Sequence, residues 1–307
     1  MINRLKPAVL ACAVLCALPA QAETLPVRGV YPAGNDAAAS LRTVAVDSFG
    51  GTDGQQLALA IADRLRAVAI DGEPYFRVLP AAASADAEAV IEGTATAGLG
   101  RRNAGEREDK VCAERDGDRG CTRKKKVKIP CWETVVRLDA SVRLISIDGE
   151  LLHAVDGADE QAKRYCRGED RPSAEPMVRE LAARMANRLR GDLAPEQRLD
   201  EFRVMETRKG LADEDSRVFR EAVRLTKTSH DAACKAWSAL ERGKPDHASV
   251  QFNLGLCAES RGELGEAQVH YRRALAADGN SAYARQGLQR IDARRRADAQ
   301  LADHHRL

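Results

Sequence analysis

The pattern of apolar and polar residues changes near residue 205, and the change separates two kinds of structure. Before it, short apolar runs and helical stretches follow in the order strand, helix, strand, strand. After it, apolar residues recur at helical spacing only. This predicts an α/β (α+β) N-terminal domain with a mixed sheet and an all-α C-terminal part. The predicted strands are 41–47, 76–79 and 89–97, one predicted helix carries Leu57, Ile61, Leu65 and Val68, and a later one carries Met177, Leu181, Met185 and Leu189.

The first predicted helix has its own start and stop signals. Asp53 and Gln56 have the spacing of a capping box, and Gly72 is a residue type that ends helices. The Gly-rich turn at 48–53 lacks the spacing of a phosphate-binding loop, so we interpret it as a tight connection between strand and helix. A last strand is predicted at 199–205.

A charged insertion at residues 100–131 contains a predicted hairpin. Cys112 and Cys121 are symmetric about Asp116-Gly117, and Asp-Gly is a favoured two-residue hairpin turn because both positions can adopt positive φ. A turn there places the two cysteines opposite each other. The sequence therefore predicts a disulfide-bearing β-hairpin insertion with the bridge Cys112–Cys121.

A longer arm repeats this arrangement. Cys131 and Cys166 are symmetric about Asp148-Gly149, and the outgoing arm alternates between apolar and polar residues. The spacing predicts a second hairpin that is closed by Cys131–Cys166. A perfect register would put His153 on the apolar face, which favours a bulge in the returning arm.

The first 22 residues have the features of a secretory signal peptide. Arg4 and Lys6 precede a short apolar run, and an A-x-A motif predicts cleavage after Ala22. The run is shorter than the roughly 20 residues of a membrane span. The alternatives are an apolar first helix of the fold and a lipid anchor on Cys12, whose surroundings loosely resemble a lipobox and which would bring an outer-membrane association. We expect a periplasmic protein with no transmembrane segment.

Export limits what the cysteines and the charges can do. Six cysteines remain after cleavage, an even number in an oxidising compartment, and no C-x-x-C pair is present; this favours disulfides over zinc. The leader contains two of the 48 basic residues, so 46 basic residues balance 46 acidic ones. A nucleic-acid coat needs a basic excess. We therefore expect no nucleic-acid partner.

The most basic run of the chain lies at residues 123–128, with the sequence RKKKVK. One interpretation is contact with an anionic polymer or lipid head group of the envelope. The other is a charged edge strand that resists aggregation. The sequence favours the second interpretation without excluding the first.

Four segments of the first half resemble a known family: TVAVDSF, GQQLALAIADRL, YFRVLP and ADAEAVIEGTAT. They are similar to the periplasmic α/β domain shared by the curli-secretion lipoprotein (CsgG-like) family and by outer-membrane lipoproteins that assist peptidoglycan synthases. The resemblance covers residues 41–194 and rests on structural positions. It implies a role in assembling or regulating envelope machines, without catalysis. The charged cysteine region departs from the family, so the resemblance does not extend to channel formation.

One 34-residue stretch carries the most specific pattern in the chain. With Ala248 as position 1, small and large residues recur in a way that lets two antiparallel helices pack closely. This pattern resembles the tetratricopeptide repeat, with Gln251 at position 4 and Gly279 at position 32 as departures. The matching residues are Leu254, Gly255, Gly262, Ala267, Tyr271 and Ala274, at positions 7, 8, 15, 20, 24 and 27.

The repeat has partial neighbours on both sides. Ala233, Trp237 and Pro245 match the second helix of a preceding repeat with a degenerate first helix, and residues 282–295 form one capping helix. We expect the Arg-rich end of that helix and the His-containing tail to be solvated. The predicted organisation is a signal peptide at 1–22, a leader at 23–40, an α/β domain at 41–205 with its insertion at 100–131, a tetratricopeptide-like domain at 214–296 and a tail at 297–307.

The tetratricopeptide resemblance also implies a third disulfide. It puts Cys234 on the second helix of one repeat and Cys257 on the first helix of the next, and those helices are neighbours in this architecture. Such arrays need about three repeats, whereas this chain has two and a cap. A bridge that closes a loop of this size contributes roughly 3 kcal/mol in the chain-entropy model. We therefore predict the pair Cys234–Cys257.

In that family, extended peptides or partner helices bind in a groove lined by the first helices. The resemblance therefore implies a protein or peptide partner in the cell envelope. The alternative is that so short a stack only docks on the α/β domain. The residues that match the groove lining are Phe252, Leu256, Glu259, Ser260, Val218, Tyr283 and Arg290.

No catalytic motif is present in the sequence, which has neither HExxH nor GxSxG and whose histidines are scattered. A pair of catalytic carboxylates, as in glycosidases, is the one arrangement that the sequence leaves open. We predict no catalytic residue, no metal site and no cofactor. The favoured function is an exported envelope scaffold or adaptor that binds a protein partner through its short repeat stack. The alternative is an assembly or regulatory subunit of an outer-membrane secretion or peptidoglycan-synthesis complex that acts through the α/β domain.

Overall fold

The computed structural model of the chain describes residues 23–115, 117 and 120–306. The predicted signal peptide, Cys12 and Asp116 lie outside the described residues. The chain forms two compact units, and each is described by itself. The helical unit comprises Val27, the described residues before it and Asp200–Gly287, and the sheet unit comprises Arg28–Leu199 and the chain from Leu288 onward.

Strands dominate the first two thirds of the described chain and helices the last third. The strands are β1 (Thr24–Tyr31), β2 (Thr43–Val46), β3 (Ala69–Ile70), β4 (Glu73–Pro74), β5 (Arg77–Pro80), β6 (Ala89–Arg115), β7 (Cys121–Ser146), β8 (Leu151–Cys166) and β9 (Glu196–Arg203). The helices are α1 (Asp36–Ser40), α2 (Gly54–Arg66), α3 (Ala174–Leu193), α4 (Asp213–Leu225), α5 (His230–Glu241), α6 (Ala248–Ser260), α7 (Leu264–Ala277) and α8 (Ala282–Arg306), with a 3-10 turn at Ala81–Asp86. The α/β character and the helical C-terminal region agree with the sequence pattern.

The sheet unit contains a five-stranded sheet with the order β5-β2-β6-β7-β8. β2 runs parallel to β5 and β6, whereas β6, β7 and β8 form an antiparallel meander. Parallel neighbours need a crossover connection, and α2 provides the one between β2 and β5. The predicted mixed sheet is therefore confirmed.

The core of the sheet unit lies between one face of the sheet and the helices α2 and α3. Every second residue of β7 from Val136 to Leu144 is buried, because successive side chains of a strand point to opposite faces. Burying side chains of this size stabilises the fold by about 1.5–3 kcal/mol each. The same cluster holds the predicted helical stripes, namely Leu57, Ile61, Leu65 and Val68 with Met177, Leu181, Met185 and Leu189.

The predicted capping box at the start of α2 does not form. The Asp53 side chain makes no bond to the first turn; its carboxylate accepts a hydrogen bond from the Ala97 amide at 2.8 Å instead. A bond to the edge of β6 has replaced the local one, which sequence spacing alone cannot show. Gly72 does not end α2 either, since the helix ends at Arg66 and Gly72, with φ of 87°, turns the short β3–β4 hairpin.

The predicted leader at 23–40 is ordered structure. It contains β1, which pairs with β9 in a two-stranded sheet, and the short helix α1. The Asn35 side chain caps α1 by accepting from the Ala38 amide at 2.9 Å. The polar composition of this segment misled the prediction, because β1 buries alternate residues that include Leu25 and Val27.

The predicted insertion at 100–131 is a continuation of β6 and β7 rather than a separate hairpin. The two strands pair from their roots out to Arg115, which lies opposite Cys121. In the longer arm, Leu144 pairs with His153 and Ile145 with Leu151, so one residue of the returning arm is unpaired. A bulge is therefore present in the returning arm, but it lies on the turn side of His153, which keeps the pairing with Leu144 that the bulge was predicted to avoid.

Three disulfides join the cysteines in the pairs that the sequence predicts. In the turn between Cys112 and Cys121, Asp116 lies outside the described residues, and Gly117 has φ of 43°. In the longer arm, Gly149 has φ of 85° but Asp148 does not have positive φ, so the turn is not the two-residue Asp-Gly type that the sequence predicts. The bridges are Cys112–Cys121, Cys131–Cys166 and Cys234–Cys257.

The helical unit is built from two consecutive helix hairpins, α4–α5 and α6–α7, followed by the first turns of α8. α6 is buried along its whole length, from Ser249 to Glu259. A helix that is buried on every side is the centre of its unit rather than one wall of an open groove. Within the described part of the chain, none of the helices combines the length and the apolar character of a membrane span.

The predicted tail at 297–307 is not a separate segment. α8 continues without a break to Arg306, and from Leu288 it belongs to the sheet unit. Arg294 and His304 are buried, whereas Arg295, Arg296 and His305 are exposed, so the expectation that the Arg-rich end and the His-containing tail are solvated is wrong for one residue of each. Arg294 and the buried Gln300 have hydrogen-bond partners in the fold, which their composition does not reveal.

Candidate functional site

Three of the residues predicted to line a groove lie inside the helical unit. Phe252 and Leu256 are buried, and the Phe252 ring lies 5.5 Å from the ring of Tyr271. Glu259 is buried too, and its carboxylate accepts a hydrogen bond from the Tyr271 hydroxyl at 2.5 Å. Their burial corrects the prediction that they line an open groove, and Phe252 and Glu259 contact Tyr271 on α7 instead.

The other predicted lining residues are not gathered around these three. Ser260 is exposed and donates to the carbonyl of Cys257 at 2.8 Å. Tyr283 is 45% exposed, and Val218 on α4 is half-buried. Arg290 is half-buried and belongs to the sheet unit. The structure therefore leaves Tyr283 as the one large and accessible side chain of the predicted set in the helical unit.

A residue outside the predicted set, Asn253, makes the most specific contact of α6. Its Oδ1 accepts from the Met205 amide at 2.8 Å, and its Nδ2 donates to the Met205 carbonyl at 3.0 Å. Next to it, the amide of Val204 donates to the Glu23 carbonyl at 3.0 Å. Met205, in the segment 204–207 that directly follows β9, is therefore held against α6 by its main chain.

A cavity of about 800 Å³ opens beside this segment. Its walls come from the segment itself, from the connection between α5 and α6, and from the end of α7. Polar groups of both charges line it, so it does not select a single sign of charge. The lining residues are Met205, Thr207, Lys209, Gly210, Gly243, Lys244, Pro245, Asp246, His247, Ala248, Ser249, Ala277 and Asp278.

His247 connects the wall of this cavity to the start of α6. Its Nδ1 accepts from the Val250 amide at 3.4 Å, which caps the helix, and its Nε2 lies 3.2 Å from the Lys209 carbonyl, to which it donates. These two bonds require the neutral ring. Burial lowers the pKa of His247, the bond to the Lys209 carbonyl opposes this, and the charge of Lys244 adds to it.

Small residues let the helices of this unit approach closely. A Cβ atom on Gly255 would lie 2.5 Å from the ring of Tyr271, and one on Gly287 would lie 2.8 Å from the same ring. Such a clash would force the ring or the helices apart. The disulfide Cys234–Cys257 ties α5 to α6 in the same unit.

Gln251, one of the two departures from the repeat pattern, has a polar role. Its Nε2 donates to the Pro245 carbonyl at 2.7 Å and to the Glu241 carboxylate at 3.0 Å. Its Oε1 lies 2.7 Å from Nδ1 of the buried His270. A hydrogen-bonded cluster has therefore replaced the aromatic side chain at position 4, and its members have partners rather than free lone pairs for a ligand.

The sheet unit also contains a side-chain amide that bonds to the main-chain amide and carbonyl of a single residue, as Asn253 does. Oε1 of the buried Gln300 accepts from the Ala33 amide at 2.8 Å, and its Nε2 donates to the Ala33 carbonyl at 3.2 Å and to the Asp36 carboxylate at 2.5 Å. Arg296 adds a bond to Asp36 at 2.8 Å and one to the Gly34 carbonyl at 3.0 Å. The end of α8 thus holds the connection between β1 and α1.

A buried histidine lies one turn beyond Gln300. The ring of His304 stacks on that of Tyr75 with 4.1 Å between their centroids. Burial lowers the pKa of His304, the Leu41 carbonyl opposes the shift, and the charges of His305 and Arg42 add to it. The lowered pKa means that the fold favours the neutral form of the His304 ring.

Sequence reasoning missed both amides that hold main chain. Asn253 had a signal, since it is a polar residue inside the apolar run VQFNLGLCA. Gln300 had none, because it lies in a polar stretch. In the described ranges, no three His, Cys, Asp or Glu side chains come together in a way that could hold a metal ion.

Comparisons with known proteins give weak likenesses only. No family matches the chain in a scan of protein families, and no curated protein matches it. Two structures of the PelC dodecamer from Paraburkholderia phytofirmans, in different space groups and one of them a point variant, are similar to part of it. They are 20% and 18% identical, cover 54% and 56% of this chain and 96% and 98% of their own, and each has a TM-score of 0.25. A likeness at that score carries no argument about this chain.

Proposed function

We propose that this chain is an exported envelope scaffold or adaptor that binds a protein partner through a short tetratricopeptide-like stack, without catalysis. The binding surface is the face of α6 that carries Asn253, and the partner presents an extended segment to it. The observation that supports this is the pair of hydrogen bonds between the Asn253 amide and the main chain of Met205. In the free chain, residues 204–207 are the resident occupant of that face.

The chemistry of the contact favours an extended peptide. A side-chain amide that both donates to and accepts from one residue recognises backbone, which every peptide offers, and leaves sequence preference to the surrounding pockets. Two such bonds contribute about 1–3 kcal/mol in total. The resident segment can therefore leave when a partner brings additional contacts, and the cavity of about 800 Å³ beside it has room for them.

The resemblance to tetratricopeptide repeats is part of the proposal. It is supported by the two consecutive helix hairpins and by Gly255, whose missing side chain admits the ring of Tyr271. These are positions 8 and 24 of the 34-residue unit. The predicted secretory leader and the three disulfides support an exported location.

A peptide copy of the resident segment tests the proposal. The probe is a fluorescent peptide with the sequence of residues 200–209, added to the full mature chain. Met205→Pro removes the N–H that donates to Asn253 and frees the face, so the variant should bind the peptide at least about tenfold more tightly than wild type, equivalent to about 1.4 kcal/mol. Fluorescence anisotropy measures the affinity.

Two controls sharpen this test. Met205→Ala keeps the amide donor and should bind like wild type. Asn253→Ala in the Met205→Pro background should abolish the gain in peptide affinity, because the side-chain amide that would bind the peptide backbone is removed. Equal affinity of all four proteins for the peptide would argue that the segment is a fixed part of the fold and that this face binds nothing else.

A second candidate function is favoured by the open edge of the sheet. β8 is the last strand of the sheet order, and its 16 residues have no partner on the outer side among the described residues. A second copy that pairs there would make the sheet unit an assembly element of an outer-membrane secretion or peptidoglycan-synthesis complex. Mass photometry separates the two candidates, because a ring-sized oligomer supports assembly and a monomer supports the adaptor.

A further inference from the structure

β6 and β7 continue beyond the three-stranded part of the sheet as a two-stranded ribbon. β8 ends at Cys166, which lies opposite Cys131, so among the described residues the segments 104–115 and 121–130 pair as strands only with each other. At about 3.3 Å per residue the ribbon is about 40 Å long. Its outer part is closed by Cys112–Cys121. It is an exposed, disulfide-closed extension that the proposed function does not use.

The ribbon and its root are strongly basic. Residues 101–130 contain eleven basic and six acidic residues, although the mature chain as a whole is balanced. On the β7 side, residues 121–130 contain five basic residues and no acidic one. The excess is therefore concentrated on one strand, and that strand forms an edge of the ribbon.

Ion pairs neutralise only part of this charge. Lys126 pairs with Glu108 at 3.1 Å, and Lys128 pairs with Glu106 at 3.4 Å. Arg123 pairs with Glu114. All of these side chains are more than half exposed, so the pairs are weak and exchangeable. The ribbon lysines without an ion pair in the described part of the chain are Lys110, Lys124 and Lys125.

Two of these three lysines lie on β7, and the third, Lys110, lies on β6 across from β7. Lys110 lies directly opposite Lys126, a like-charge pair that costs stability. Lys124 is two residues along and therefore on the same face, whereas Lys125 is on the other face, opposite Val111. On an edge strand, alternate main-chain amides also point away from the partner strand and remain available as donors.

We propose that this edge binds a linear acidic polysaccharide. A flat anionic surface could engage one face of the ribbon, whereas cations on both faces and amide donors between them suit a chain that runs along the edge. Single-stranded nucleic acid is disfavoured because such proteins stack bases on aromatic side chains, and residues 101–130 contain no aromatic residue. Lysine ammonium groups and main-chain amides bind the carboxylates of the polymer by charge-assisted hydrogen bonds.

The proposal is tested with a charge-removing triple variant, Lys110→Gln/Lys124→Gln/Lys125→Gln, of the full mature chain. The probe is labelled polygalacturonate, a linear polymer with one carboxylate on each sugar. We expect at least about tenfold weaker binding at low salt and a shallower dependence of affinity on salt, because fewer counterions are released. The matched control, Arg64→Gln/Arg77→Gln/Lys235→Gln, removes the same charge at exposed positions elsewhere and should bind like wild type.

Three outcomes would overturn the proposal. The first is equal binding of polygalacturonate by the two triple variants. The second is tighter binding of wild type to a single-stranded oligothymidylate or to anionic phospholipid vesicles than to polygalacturonate, and the third is loss of binding when the same three lysines are changed to arginine, which preserves the charge. The three lysines are exposed, so folding is not at risk. Non-reducing peptide mapping of Cys112–Cys121 verifies that the ribbon is intact. Binding retained by the arginine variant and lost by the glutamine variant supports the proposal.

Discussion

Two side-chain amides in this molecule hold the main chain of a single residue with the same pair of bonds. In the helical unit, Asn253 holds Met205 at 2.8 and 3.0 Å. In the sheet unit, Gln300 holds Ala33 at 2.8 and 3.2 Å. Both amides are buried, at 0% and 3% exposure. What differs is the residue that they hold and the space around it.

Ala33 is fully buried, and the Gln300 amide has the Asp36 carboxylate as a further partner. Met205 is half-buried and lines a cavity of about 800 Å³. If the Ala33 bonds open, two polar groups are left in the interior without water, whereas the groups of Met205 can be reached by water or by a partner's backbone. The Gln300 bonds therefore act as a permanent structural contact in the sheet unit, whereas we expect the Asn253 bonds to be an exchangeable contact in the helical unit.

The largest effect in this comparison is expected for Gln300→Ala. It leaves the buried amide and carbonyl of Ala33 without partners, so the free energy of unfolding should fall by about 3 kcal/mol. Chemical denaturation with the disulfides intact measures it. Gln289→Ala, the same change at an exposed position of the same helix, should lie within about 0.5 kcal/mol of wild type. Similar losses of unfolding free energy in Gln300→Ala and Gln289→Ala would mean that the hydrogen bonds of Gln300 do not stabilise the fold.

Asn253→Ala should lower the free energy of unfolding by less, about 1–2 kcal/mol, because water from the neighbouring cavity can form hydrogen bonds with the amide and carbonyl of Met205. Hydrogen exchange provides the sharper measurement: the Met205 amide should exchange much faster in the variant, while the Ala33 amide should not change. A loss of stability as large as that of Gln300→Ala would contradict the view that the Met205 contact is exchangeable.

The sequence predicts those parts of the fold that depend on local spacing. The symmetric cysteines and the alternation of apolar residues define the long hairpin, whose register from Cys131–Cys166 to Leu144–His153 is the one that symmetry about 148–149 gives. Neither amide contact could be predicted in this way, since each joins residues that are far apart in the chain. The end of α8 shows why: its buried stripe runs through Ile291, Arg294, Ala297, Gln300 and His304, at helical spacing but without a hydrophobic pattern to reveal it.

The smallest effect in the comparison is a pH dependence that each unit should show through one histidine. Burial lowers the pKa of both His247 and His304, so the folded chain favours neutral rings and the unfolded chain binds protons first. Their contribution is fully present above about pH 6.5, the ordinary value for histidine, and is lost as the pH falls below it.

For His304 the loss should be global, because its ring stacks on Tyr75 in the core that Gln300 closes. His304→Phe keeps the stacking and should flatten the fall in unfolding free energy between pH 7.5 and 5.5, a window set by the histidine value of about 6.5. For His247 the loss should be local, since protonation of Nδ1 ends its bond to the Val250 amide, whereas Nε2 keeps its proton and still donates to the Lys209 carbonyl. Acid should therefore speed hydrogen exchange at the Val250 amide before it lowers global stability, and His247→Asn, which can still cap the helix, should remove that response. Loss of stability in both units together over this window would contradict a local effect of His247.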